Sequence, residues 1–139
     1  MGYHVSWLIE NQVVYAQYYG VVEMSDYVET GAIFVQMIES GAPPVHVLVE
    51  IKPGTKSPRD VSKIVEHLRG YQRPGVGWVM TITPNKLERF FAALVMHMFM
   101  SNLRAHMFAS VNEIPAFLAE RDDRFDQEHI AEAINRRPV

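Results

Sequence analysis

The order of apolar and polar positions along the chain predicts strands that alternate with helices. Two segments rich in β-branched and aromatic residues, 3–9 and 12–21, are separated by Glu10 and Asn11 and predict a β-hairpin. The second arm is apolar or aromatic at most positions, which is typical of a strand buried on both faces. Segments of the same type predict three more strands, at 45–51, 75–83 and 103–109.

Helical periodicity is found between and after these strands. Apolar positions at helical spacing over 26–40 follow Ser25, a candidate N-cap, and end at Gly41. Ser57 precedes a proline and an acidic residue in the pattern of a capped N-terminus, which predicts a helix over 58–69. Similar signals predict three later helices, at 84–100, 110–121 and 126–137. The second of these is predicted to begin with a capping box formed by Ser110 and Glu113.

The most unusual segment, FFAALVMHMFM at 90–100, is called here the apolar segment, and His97 is its one polar residue. A helix lying between a sheet and water carries one apolar stripe, whereas this segment is apolar nearly all round. Its length of about 17 Å is too short for a hydrocarbon core of about 30 Å, so no membrane span is predicted. We expect its outer face, with Phe90, Ala93, His97 and Met100, to contact a second copy, a protein partner, an apolar ligand or the predicted tail helix.

Composition restricts the class of protein. A chain of 139 residues, 48% apolar and 21% charged, is expected to form one globular domain. The formal charge of −3 argues against a nucleic-acid partner. The absence of cysteine removes disulfides, thiolate nucleophiles and cysteine-ligated zinc. The N-terminus shows no secretory signal pattern, which favours a cytoplasmic protein.

No motif in the chain indicates catalysis, a metal or a cofactor. The histidines lack the helical spacing of a zinc protease, and no Gly-x-Ser-x-Gly turn is present. The carboxylates at Glu120, Asp122 and Asp123 are interpreted as solvated. For His97, a role as a pH sensor at an interface competes with that of a satisfied or edge-exposed histidine. The sequence therefore predicts a non-enzymatic protein, with an enzyme of unrecognised type as the remaining alternative.

A turn predicted at 52–56, KPGTK, and the serine that follows it form the one candidate polar site. A phosphate on Ser57 would meet the N-terminus of the predicted second helix, with Lys52, Lys56 and Arg59 as contacts. An unmodified anion bound at 54–56 is a second hypothesis. The competing interpretation is that Ser57 is only an N-cap and that the lysines are solvated.

The order and lengths of these elements resemble the STAS superfamily (sulphate transporter and anti-sigma factor antagonist), and more closely its SpoIIAA-like branch. The resemblance covers roughly 3–121 and is carried by the hairpin, by VHVLVEI before the helix capped at Ser57, by GWVMTIT before the apolar segment, and by RAHMFAS before SVNEIPAFLAE. It implies an α/β fold with a five-stranded mixed β-sheet and about four helices in the order ββαβαβαβα, followed by a short C-terminal helix. We assign this domain to 1–124 and a helical extension to 125–139.

The resemblance also implies binding of protein partners without catalysis, in some members switched by kinases. Their phosphorylated serine lies in an Asp-Ser-Ser/Thr-Gly segment, where this chain has Gly54-Thr55-Lys56-Ser57-Pro58. Ser57, and less well Thr55, match the phosphoacceptor by position only. The resulting prediction is a homodimeric interaction module with an unidentified protein partner. The alternative is a carrier or sensor of an apolar small molecule or lipid, with a pocket between the apolar segment and the aromatic strand at 15–19.

Overall fold

A five-stranded mixed sheet forms the centre of the molecule. The computed structural model describes residues 2–56, 74–83, 85–86, 89 and 104–138. The strands are β1 Tyr3–Ile9, β2 Val13–Tyr18, β3 Val45–Ile51, β4 Val76–Ile82 and β5 Ala105–Phe108. The helices are α1 Met24–Ser40, α2 Ile114–Arg121, which follows a 3-10 turn at Val111–Glu113, and α3 Gln127–Asn135.

The sheet has the order β1-β2-β3-β4-β5. β1 pairs antiparallel with β2, and all later neighbours are parallel, which confirms the predicted hairpin and the mixed α/β sheet. The predicted helix over 58–69 lies outside the described residues, and so does the predicted helix over 84–100 except for positions 85, 86 and 89. The same holds for several predicted site residues, namely Ser57, Arg59, Phe90, Ala93, His97 and Met100.

Alternate strand residues point to opposite sides of the sheet, so apolar side chains lie on both faces. Helices cover both of these faces. On one face, Val14 and Val47 pack with Phe34 of α1. On the other, a second cluster joins strand residues such as Leu48 to α2 and to Ile130 of α3. All six residues of β2 are buried, as predicted for a strand covered on both sides.

The start of α1 differs from the predicted one. The N-cap is Glu23, not Ser25. The carboxylate of Asp26 accepts a hydrogen bond from the backbone N–H of Glu23 at 2.9 Å, which closes the first turn from its third position. The prediction that Ser25 is the N-cap was wrong because the helix begins two residues earlier. Asp26 accepts a hydrogen bond from the N–H of Glu23, and Glu23 is therefore the N-cap.

The predicted capping box before α2 is confirmed. The hydroxyl of Ser110 accepts from the N–H of Asn112, and the carboxylate of Glu113 accepts from the N–H of Ser110, each at 3.2 Å. These bonds form around the short 3-10 turn, so that α2 itself begins at Ile114 with a proline in its first turn.

The C-terminal helix α3 is part of the main core. Asp126 caps it by accepting a hydrogen bond from the N–H of His129 at 2.7 Å. Ile130, Ala133 and Ile134 are buried along one side, as their spacing predicts, and they belong to the same cluster as the strand residues of that face. Within the described residues, no helix has the length and apolar character needed to cross a membrane.

Candidate functional site

A tight turn follows β3 and is fixed to the strands beside it. The N–H of Thr55 donates to the carbonyl of Lys52 at 3.2 Å, with Pro53 and Gly54 at the two central positions. Gly54 has a φ of 81°, as a type II turn requires at its third residue. The N–H of Lys52 donates to the carbonyl of Tyr18 at 2.9 Å, which anchors the turn to β2.

This turn borders a cleft at the carboxyl ends of β3 and β4. The cleft has a volume of about 490 Å³ and is called here the turn cleft; it is lined by Lys52, Pro53, Gly54, Thr55, Lys56, Thr83 and Asn85. In open α/β sheets, ligands bind outside the carboxyl ends of the parallel strands. The structure therefore brings together three of the residues predicted from the sequence, Lys52, Thr55 and Lys56, at a position suited to binding.

The Thr55 hydroxyl is committed to holding the turn. It lies within hydrogen-bond distance of the carbonyl oxygens of Lys52 and Tyr18, and its single proton can be donated to only one of them at a time. A phosphate on Thr55 would remove this donor and leave the backbone bond from the Lys52 N–H to the Tyr18 carbonyl to hold the turn to β2. The geometry therefore supports a structural role for Thr55, beside the phosphoacceptor role proposed from its position.

The two lysines of the turn cleft differ in their surroundings. The ammonium of Lys52 lies 3.4 Å from the carboxylate of Glu50 and is mostly covered. Lys56 is exposed, and within the described residues its ammonium has no carboxylate partner. Among the described residues that line the cleft, Lys56 is therefore the lysine without a carboxylate partner.

A buried acid, Glu50, pairs with Lys52, one of the residues that line the cleft. Glu50 is 8% exposed, and its carboxylate accepts hydrogen bonds from the Tyr15 hydroxyl at 2.7 Å and from the Arg137 guanidinium at 2.8 Å. Burial opposes ionisation, but the bonds from Arg137 and Tyr15 more than offset it and hold the pKa of Glu50 below its ordinary value. Because Arg137 compensates Glu50, the acid does not cancel the positive charge of Lys56.

This arrangement was not found from the sequence, although a signal for it exists. An acid at position 50 of a strand that is apolar at every other position except His46 needs a buried partner. The partner, Arg137, is 87 residues away along the chain, beyond the end of α3. Gln17 completes the cluster by donating to the Tyr15 hydroxyl at 3.1 Å and to the carbonyl of Pro138 at 3.0 Å.

A second buried polar group lies at the opposite end of β3. The Nδ1 atom of His46 accepts a hydrogen bond from the N–H of Trp78 at 2.9 Å, which leaves the proton on Nε2 to be donated to Asp122 at 2.7 Å. Arg124 also donates to Asp122 at 2.7 Å. Both imidazole nitrogens are occupied, so His46 is not free to act as a catalytic base.

The environment of this group explains its ionisation. Burial lowers the pKa of the His46 imidazole and outweighs the opposing effect of Asp122. The guanidinium of Arg124, together with His46, holds the pKa of Asp122 well below its usual range. Asp122 is 8% exposed, so the prediction that it is solvated was wrong. Glu120 and Asp123 are exposed, as predicted.

Apolar side chains are exposed beside the turn cleft. Val21 is 68% exposed and forms a parallel bridge with Lys56, and Tyr19 is 42% exposed. Tyr15 and Tyr18 are buried on opposite faces of the sheet, in separate core clusters. The tyrosines of β2 therefore do not share one pocket, and Tyr19, the residue after β2, is exposed at the surface.

Comparison with protein-family models, with curated proteins and with solved structures finds no match for this chain. In the described part of the chain, no three histidine or carboxylate side chains converge to hold a metal ion.

Proposed function

We propose that this chain is a non-enzymatic interaction module of the STAS or SpoIIAA-like type, that it forms a homodimer, and that it contacts a protein partner around the turn cleft. The observation that supports this proposal most directly is the bridge between Val21 and Lys56. It places a cation without a described partner beside an apolar side chain that is 68% exposed. Exposed apolar groups next to charged ones at the rim of a cleft are typical of protein contact surfaces.

The charges of the cleft indicate the chemistry of the partner. Lys56 has no carboxylate partner among the described residues, and Glu50 is compensated by Arg137. The complementary partner is a segment in which carboxylates or phosphates flank an apolar side chain. The apolar side chain would pack on Val21 and Tyr19, while the acidic groups would steer association through Lys56.

A quantitative pull-down from cells of the source organism tests this surface. We expect proteins that the unaltered chain enriches to be depleted on Lys56→Glu and on Val21→Ser. The matched control is Arg104→Glu, the same charge change at an exposed residue before β5, at the other end of the parallel strands. Enrichment that is equal for all three variants would remove the turn cleft as the contact surface.

The same material tests the alternatives. A phosphate mimic, Ser57→Asp, adds a negative charge next in sequence to Lys56 and is expected to weaken binding of an acidic partner. Native mass spectrometry of the purified chain should give the mass of protein alone. Co-purified lipid or fatty acid, with no enriched protein, would favour the carrier and contradict the interaction module.

A further inference from the structure

The edge strand β1 directs part of its backbone away from the sheet. The N–H of Tyr19 donates to the carbonyl of Gly2 at 2.8 Å. In an antiparallel ladder, residues that bond to the neighbouring strand alternate with residues that point away from it. Positions 2, 4 and 6 therefore bond to β2, and the N–H and C=O groups of Tyr3, Val5 and Trp7 point outward. In the sheet as described, β1 is a terminal strand.

Over positions 3–7, β1 lacks the features that usually protect an edge strand from pairing. Such strands are short, or carry proline, charged side chains or a bulge. β1 has seven residues, YHVSWLI, with neither proline nor an acidic or lysine or arginine side chain. Its bulge lies after Trp7 and leaves positions 3–7 in regular register with β2. The other edge, β5, has only four residues and follows Arg104.

We propose that β1 pairs with β1 of a second copy of this chain, about a two-fold axis perpendicular to the sheet at Val5. This axis places Val5 opposite its own counterpart, and Tyr3 opposite Trp7 of the second copy. The three outward-pointing positions then all form hydrogen-bonded pairs, each of which exchanges two N–H···O bonds, about six bonds in all. The two sheets become one continuous sheet, and the interface is isologous.

The side chains fit this register on both faces. Tyr3, Val5 and Trp7 share the α1 face, where they are partly buried, so the axis creates two tyrosine–tryptophan pairs around a central valine pair. On the other face, His4 lies opposite Ser6 of the second copy. Both side chains are polar and can form a hydrogen bond with each other, as the 3.0 Å contact between the His4 Nε2 and Ser6 Oγ atoms within one chain shows. With no carboxylate, lysine or arginine in β1, the symmetry brings no like charges together.

This pairing deepens the homodimeric part of the proposed function, on which it rests, and it names the strand that forms the contact. It is independent of the turn cleft, because the cleft lies at the ends of β3 and β4 and is not part of β1. It also differs from a contact made by the apolar segment.

The absence of cysteine makes the pairing testable by disulfide trapping. Val5→Cys places two thiols opposite each other at a spacing compatible with a disulfide. We expect its covalent dimer to form on the order of tenfold faster than that of Val28→Cys, an exposed control on α1, because pairing raises the effective concentration of the thiols. A mixture of His4→Cys and Ser6→Cys chains should cross-link faster than either chain alone, which tests the register.

Light scattering after size-exclusion chromatography provides the second measurement. The unaltered chain should show twice the chain mass of 15.9 kDa. Val5→Lys should be monomeric, and its mixture with Val5→Glu should recover the dimer, because the opposite charges face each other. Circular dichroism of each variant shows whether the fold is kept. If Val5→Lys does not fold, the reduced Val5→Cys chain replaces it in the test, and this chain should have the same mass as the unaltered protein.

Three results would overturn the pairing. One is a monomeric unaltered chain, which would also remove the homodimer from the proposed function. Another is a dimer in which Val5→Cys cross-links no faster than Val28→Cys. A third is a dimer that Phe90→Glu abolishes while folded Val5→Lys retains it, which would assign the contact to the apolar segment. Loss of partner enrichment in Lys56→Glu is a separate readout, so failure of the turn cleft and failure of β1 are distinguishable.

Discussion

At the scale of single residues, buried polar groups are the features that respond to solution conditions. His46 is held neutral between the Trp78 N–H and the Asp122 carboxylate. Adding a proton at Nδ1 would replace an acceptor by a donor facing another donor. The group therefore stabilises the fold only while the imidazole is uncharged and Asp122 is ionised.

The stability of the protein should fall on acidification in two windows. The unfolded imidazole titrates near 6.5, whereas burial lowers the pKa of His46 in the folded chain. The unfolded chain then binds more protons, so the free energy of unfolding decreases as pH falls below about 6.5. The pKa of Asp122 is also lowered, so its contribution is lost below about 3.8. Urea unfolding between pH 8 and 3 measures both, with pH values chosen to bracket the two ordinary pKa values.

Two variants assign the first window. His46→Gln should be less stable at neutral pH and should show a shallower decline between about pH 7 and pH 5 than the unaltered chain. His129→Gln changes an exposed histidine on α3 and should leave the decline as it is. An unchanged decline in His46→Gln would show that other groups determine the pH dependence.

At the scale of elements, the turn after β3 depends on one backbone conformation. Gly54 has a φ of 81°, which residues with a side chain adopt at a cost. An added Cβ at Gly54 would meet no atom within 4 Å, and the same is true of Gly31 in α1, where φ is not positive. The two glycines therefore differ in backbone conformation and not in available space.

Alanine substitutions at these two glycines should have opposite effects. Gly54→Ala should lower the free energy of unfolding by about 1 kcal/mol, because of the strained φ. Gly31→Ala should raise it by about 0.5–1 kcal/mol, because alanine favours the helix interior and restricts the unfolded chain. Denaturant unfolding of both variants measures the difference, and equal effects of the same sign would contradict this account of the turn.

At the scale of the whole molecule, the sheet is covered on both faces, and α3 supplies much of one cover. Ile130, Ala133 and Ile134 pack in the cluster that contains Leu48 of β3. Arg137 then binds Glu50 at the edge of the same face. The C-terminal segment is therefore packed with the residues of the predicted 1–124 domain.

Truncation tests whether 125–139 is a separable extension. Ending the chain after Arg124 removes four buried apolar side chains, those of Phe125, Ile130, Ala133 and Ile134, and it also removes the guanidinium that pairs with Glu50. Each lost core side chain typically costs about 1–3 kcal/mol, so we expect loss of the cooperative unfolding transition.

The control truncation ends the chain after Arg137. It removes the hydrogen bond between the Pro138 carbonyl and Gln17 and should shift the midpoint of unfolding only slightly. A full cooperative transition in the shorter chain would show that the extension folds separately from the core.

The sequence by itself determined the features that depend on neighbouring residues. Hydrophobic periodicity predicted all five strands and the helices α1, α2 and α3, because the repeat of a strand or helix is visible within one segment. The capping box at Ser110 and the turn at 52–56 were also predicted, since their hydrogen bonds join residues only a few positions apart. The Ser25 prediction failed within this range, because Asp26 offered a competing way to close the same turn.

Only the tertiary structure decided which distant residues meet. Tyr15 and Glu50 are 35 residues apart, and His46 and Asp122 are 76 apart. Periodicity assigns a side chain to a face of its own element, but it does not fix which element covers that face or in what register. The prediction that Asp122 is solvated failed for this reason. Its burial depends on how the chain after α2 returns to the start of β3. The outward groups of β1 likewise follow from strand pairing, which no single segment of the sequence contains.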